Sequence, residues 1–273
     1  MAEPVQRRMQ HRPARRRPAG GGAADGFTLL ELLLVVFLLV LIVVLLADLF
    51  AGADDLIARS TQRAHTDARA RTALGVLRAD LHSALIDSRL AFRARVGQRT
   101  YDFDSSELYC VSLRGTDVER GRSTRLVRFF VRPAETGPAQ LFELVRAERP
   151  VATATGAAAN AYWNTNWFDD AVFDATNTVP LAGHVTAFYV EAAPGAHAPG
   201  GDAPTHDYDS NALGPPRYLD VYLELLDRRA AREVADLVAR NAPSNTWKDI
   251  IEFQARRYTT RIFPANVYGY EVP

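Results

Sequence analysis

Gly26-Phe27-Thr28-Leu29-Leu30-Glu31 leads into a nearly unbroken apolar run from Leu32 to Ala47. As a helix, that run approaches the roughly 20 residues needed to cross a bilayer. One carboxylate, Glu31, stands near its start. An unpaired charge in hydrocarbon is costly, so a plain anchor has no use for Glu31. A carboxylate is tolerated there once a cation meets it at the same depth.

Residues 1–26 carry Arg7, Arg8, Arg12, Arg15, Arg16 and Arg17 against Glu3 and Asp25, a formal net of +4. The 273-residue chain as a whole is neutral, so the remainder is slightly acidic. A basic flank before an apolar helix keeps that end in the cytoplasm and sends the rest across. Pro13, Pro18 and Gly20 to Gly22 break any helix in the leader. The membrane signal accounts for the arginines without a nucleic-acid partner. An ordinary secretory signal, cut after Ala51-Gly52-Ala53, competes with this reading, as does an uncleaved anchor. The first requires an apolar core longer than the usual 7–15 residues, and both leave Glu31 without a role.

Gly-Phe-Thr-Leu-x-Glu before such a run resembles the class III signal of type IV pilins and type II secretion pseudopilins. The resemblance implies that a prepilin peptidase cuts after Gly26 and methylates the new amine on Phe27. It also implies that Glu31 pairs with the free N-terminus of a neighbouring subunit as apolar helices pack into a filament. The strict motif covers about residues 20–50. Later segments, 185–191 and 216–226, resemble the paired late strands of J-type minor pseudopilins. Residues 77–81 resemble their helix end, and that of W-type minor pilins. Two machines stay open, a type II secretion pseudopilus with this chain near its tip and a type IV pilus. On either, the subunit waits in the bacterial inner membrane, single-pass, head in the periplasm, among other pilin-like partners.

Beyond the run, Asp48, Asp54 and Asp55 mark an exit into water. Leu74, Leu77, Leu81 and Leu85 then recur at helical spacing, thickened by Ala70, Ala73 and Ala84. One helix from Phe27 to about Ser88 is expected, roughly 90 Å long. Its stretch 27–48 would span the membrane, and 49–90 would be an amphipathic continuation. Arg59, Arg63, Asp67, Arg71, Arg78 and Asp80 lie mostly off the apolar stripe. From residue 91 the pattern turns to short apolar runs between turns, and strands are expected at 108–113, 125–131, 140–146, 185–191, 218–226 and 258–263. Residues 132–139 read as a hairpin connection, 192–216 as a loop and 229–240 as a short amphipathic helix. The fold class is therefore α+β: a long N-terminal helix packed on a mostly antiparallel, pilin-like head of about 180 residues.

No nucleophile elbow, His-Glu-x-x-His, phosphate loop or dinucleotide fingerprint is present, and the chain is not read as an enzyme. An exported enzyme or a membrane-anchored binding module is the reading of another class. No cofactor is expected, with calcium the one candidate ion: Asp202, Asp207, Asp209 and Asn211 offer oxygen ligands at alternating positions. Ala212 stands where a calcium loop needs glycine, and no glutamate closes the loop. Trp163 and Trp167 lie in an aromatic segment that fits a partner interface, a sugar platform or core packing. Cys110 is the only cysteine, so no intrachain disulfide forms, and its apolar strand context predicts a buried thiol.

Overall fold

The computed structural model describes residues 28–87, 90, 92–97, 100–101, 105–117, 121–135, 141–150, 178–195 and 203–268. The chain divides into two compact units, one ending at Leu56 and the other beginning at Ile57. Helix α1 runs from Leu29 to His82 and contributes to both.

In the first unit α1 is exposed on every side, and from Leu32 to Ala47 it is apolar all round. Hydrocarbon side chains have nothing to gain from water, and a helix that is apolar all round belongs in lipid or among other helices. Among the described residues this is the one helix long and apolar enough to cross a membrane.

In the second unit α1 becomes one-sided. Thr66, Ala70, Ala73, Leu77, Asp80 and Leu81 are buried, at intervals of three and four residues that keep them on one stripe. The stripe meets two sheets. The larger has eight strands: β1 (Ala84–Asp87), β2 (Arg93–Val96), β3 (Ser106–Asp117), β4 (Gly121–Pro133), β5 (Phe142–Pro150), β6 (Thr178–Gly183), β8 (Tyr208–Asp209) and β11 (Asn266–Tyr268). Its main path is β11-β1-β3-β4-β5-β6, with β2 beside β3 and β8 beside β2. The smaller sheet has the order β10-β9-β7, from β7 (Val185–Ala193), β9 (Tyr218–Leu225) and β10 (Arg256–Ile262). Every pairing is antiparallel except β1 with β11. The α+β class read from the sequence is the one observed.

The core follows from strand periodicity. In β9, Leu219, Val221, Leu223 and Leu225 point inward, while Tyr218, Asp220, Tyr222 and Glu224 alternate outward. Ala70, Ala73, Leu77 and Leu81 pack in one cluster with Leu108, Cys110, Phe129 and Leu144 of the larger sheet and with Phe188, Val221 and Leu223 of the smaller. Alanine at positions 70 and 73 leaves out the bulk that would hold helix and sheets apart.

Two expectations are corrected. The helix stops at His82, and Ala84 and Leu85 belong to β1. The Ser83 hydroxyl donates to the Asp80 carbonyl (3.1 Å) and Leu113 N–H donates to the Ser83 carbonyl (3.2 Å), which turns the chain into the sheet. Second, the stretch 192–216 is not loop throughout, because β8 and the short helix α2 (Ser210–Leu213) lie within it. Helix α3 (Arg228–Ala239) matches the expected amphipathic segment. Helix α4 (Ser244–Gln254) was not anticipated, although Trp247 and Ile251, four residues apart and both buried, carry its signal.

Candidate functional site

The motif that carries the functional reading begins at Thr28. Gly26 and Phe27 lie outside the described residues. Thr28 precedes the first helical residue, and the Glu31 N–H donates to both its Oγ1 (3.3 Å) and its carbonyl (3.0 Å). A hydroxyl three residues ahead of a glutamate is the capping-box pattern, and its first half is formed here. The motif is thus also a helix-start signal, one the sequence reading overlooked. Placing Glu31 in the first turn puts its carboxylate beside the positive end of the helix dipole. Among the described residues nothing pairs with that exposed carboxylate.

Of the acidic loop, Asp202 lies outside the described residues. The Asp209 carboxylate is occupied by two local duties. Its Oδ2 accepts from Arg93 Nη2 (2.7 Å), and its Oδ1 accepts from Asn211 N–H (3.0 Å), capping α2. Asp207 forms a tight turn with Thr205 through its backbone. Among the described residues no three His, Cys, Asp or Glu side chains gather as metal ligands would. Trp163 and Trp167 also lie outside the described residues.

What the sequence reading missed is a set of charges tying α1 to the sheets. Asp80, placed off the apolar stripe in the sequence reading, is on it and only 1 % exposed. Arg146 of β5 donates from Nε to its Oδ2 (2.6 Å), and the Ser112 hydroxyl of β3 donates to its Oδ1 (3.2 Å). Arg146 in turn meets Glu148, which also accepts from Arg125. Nearer the first unit, Asp67 accepts from Arg256 Nη1 (2.8 Å) and from the Tyr258 hydroxyl (2.5 Å) of β10. Those two bonds hold the Asp67 carboxyl below the ordinary carboxylate range, the tyrosine contributing most. Helical spacing alone does not reveal which strand arginine meets which helix carboxylate, so these pairs were not legible in the sequence.

On the far face of the larger sheet, Glu107 accepts from Arg95, Arg128 and the Tyr109 hydroxyl, and Arg128 lies over the Phe130 ring at 4.1 Å. The Glu107 carboxylate, the Tyr109 hydroxyl and the two guanidinium groups are thus joined in one ionic network. Cys110 is buried in β3, and burial raises its thiol well above the usual range, so it is inert as a nucleophile. An open groove of about 550 Å³ between α4 and the smaller sheet is lined by Glu224, Lys248, Ile251, Glu252, Ala255 and Arg257. In comparisons with known proteins, no family model matches the chain and no curated protein matches it.

Proposed function

We propose that the chain is a minor pilin-like subunit of the pseudopilin kind, processed by a prepilin peptidase and assembled near the tip of a short type II secretion filament. Residues 1–26 are the leader, Gly26 the last residue removed, and Phe27 the new, N-methylated terminus. The subunit waits in the bacterial inner membrane with its head in the periplasm. It then passes into a filament where Leu29 to Leu46 meet similar side chains on neighbouring helices. Glu31 sets the register, because its carboxylate gains a partner only when a neighbour's terminal amine arrives at the same depth.

The observation that carries this reading is an exposed helix, apolar from Leu32 to Ala47, whose first turn holds one glutamate with no partner for its carboxylate among the described residues. A simple anchor does not account for Glu31, and a signal peptide accounts for neither its position nor the length of the run. Intact mass and N-terminal sequencing, with and without the peptidase in the producing cell, test it. The expected product starts at Phe27 and is one methyl heavier, only when the peptidase is present. A start near Ala53, or an unprocessed chain, overturns the proposal. In the same cells Glu31→Ala should leave cleavage intact while incorporation into filaments drops; normal incorporation removes the role given to Glu31.

A further inference from the structure

We propose that the corner where α1, the β6–β7 connection and the start of α3 meet is a docking site for an acidic segment of a partner protein, held by Arg69, Arg228 and Arg232. This inference stands apart from the reading of the N-terminus.

Three placements converge there. His184 joins β6 to β7, and its carbonyl accepts from Leu226 N–H (3.0 Å), which sets the corner beside the residues opening α3. Arg228 is the first residue of α3, and Arg232 lies one turn on, on the same helix face. Arg69 comes from α1, eleven residues before Asp80 and on nearly the same line of the helix, about 16 Å away along the axis. Asp80 bonds Arg146, and Arg146 pairs in register with Val179 of β6. From Val179 to Gly183, β6 advances about 13 Å. Asp67, two residues before Arg69, bonds Arg256, which pairs in register with Leu225, itself in register with Val185, and this brings Arg69 to the level of His184. The electrostatics concur: burial first, then the guanidinium groups of Arg69, Arg228 and Arg232, hold the His184 imidazole below the usual histidine range.

All three arginines are exposed, and among the described residues none has a carboxylate within ion-pair distance. The adjoining strand behaves differently. Arg256, Arg257 and Arg261 of β10 each meet a carboxylate, Asp67, Glu224 and Asp220, within 2.8 Å. This fold pairs its strand arginines and leaves the corner cluster open, although like charges gathered together repel. The carboxylate that opens α3, Asp227, already accepts from Arg229 N–H (2.9 Å) and Ala230 N–H (2.8 Å) as its cap.

That cap also selects the ligand. A single phosphate would be cradled by the free amides of a helix start, and Asp227 occupies them. What remains is a spread of guanidinium groups on two elements, suited to several carboxylates along one chain. Such complementary charge acts mainly on partner choice and association rate.

The test uses the full chain in detergent micelles at low ionic strength, with a fluorescein-labelled hexaglutamate peptide read by anisotropy. The expected result is saturable binding that Arg228→Glu with Arg232→Glu weakens at least ~10-fold, and that Arg69→Glu weakens alone. Arg240→Glu, at the other end of α3, should change it less than ~2-fold. Far-UV circular dichroism should be unaltered in all variants, since every substituted side chain is exposed. Absence of binding, or equal loss on Arg240→Glu, overturns the docking site. Displacement of the peptide by inorganic phosphate as readily as by unlabelled hexaglutamate overturns the acidic segment as its occupant.

Discussion

Helix α1 contains two stretches with opposite surroundings. Up to Leu56 its apolar side chains are exposed all round; from Thr66 to Leu81 a single stripe is buried while the other faces carry charge. Backbone hydrogen bonding is the same in both. The difference lies in what each stretch has to bury and where its partners come from. The second finds them within the chain, in two sheets. The first finds none among the described residues, and its length and composition are compatible with a membrane surrounding.

The largest effect that would sharpen this contrast is expected at Asp80. Removing the buried Asp80 leaves Arg146 with Glu148 alone, a carboxylate it shares with Arg125, so the cost should be about 3 kcal/mol, the lower end for breaking a buried pair. Asp80→Ala should therefore lower the urea midpoint strongly, followed by tryptophan fluorescence of the full chain in micelles. Methionine at both 80 and 146 should recover most of the loss, since a matched apolar pair needs no desolvated charge. A neutral Asp80→Ala would mean that the helix is held by packing alone.

Next comes a paired substitution, one in each stretch. Leu77→Ala opens a cavity in the shared core and should cost about 2–5 kcal/mol. Leu41→Ala removes an exposed side chain of the first stretch and should change the unfolding of the head by less than about 0.5 kcal/mol. Equal losses at the two positions would break the contrast.

The smallest effect is a pH dependence at His184. Its imidazole faces Arg69 from α1, Arg228 and Arg232 from α3, and the Asp227 carboxylate, and its pKa in the folded protein lies below 6.5. The unfolded chain therefore binds the proton more readily. Stability should fall as the pH drops from above 6.5 toward the folded value, and the contribution is retained at higher pH. His184→Asn keeps a residue type that tolerates the φ of 62° found there and should flatten the profile between those limits. An unchanged slope in the variant would assign the dependence to other groups.

Much of the fold was legible because its periodicities are strong. The run from Leu32 to Ala47, the stripe through Ala73 and Leu77, and the alternation in 218–225 each specify a surface without reference to anything distant. The switch from helix to strand after His82 was not legible, since Ala84 and Leu85 continue the helical spacing. What ends the helix there is Ser83 bonding across to β3, a long-range event. The same holds for Asp80. By spacing it is one more charge beside an apolar stripe, and its burial depends on Arg146, 66 residues away. For the candidate site, Glu31 stood out from local chemistry alone, whereas the corner of Arg69, Arg228 and Arg232 appears only once three separate elements are brought together. Trp163 and Trp167 fall outside the described residues, so their reading stays an expectation.

The C-terminal end of α1 sets the timetable of folding. His82 Nδ1 meets the Phe263 carbonyl at 3.1 Å across 181 residues, Ala265 N–H donates to the His82 carbonyl, and β11 runs parallel beside β1. A ribosome delivers the helix well before those partners. Until they arrive, β1 lacks its outer neighbour and the far end of the helix stays open to water. Closing so long a loop adds only modestly to the equilibrium cost but slows the search. The head should therefore close only once β11 has been made and can pair with β1.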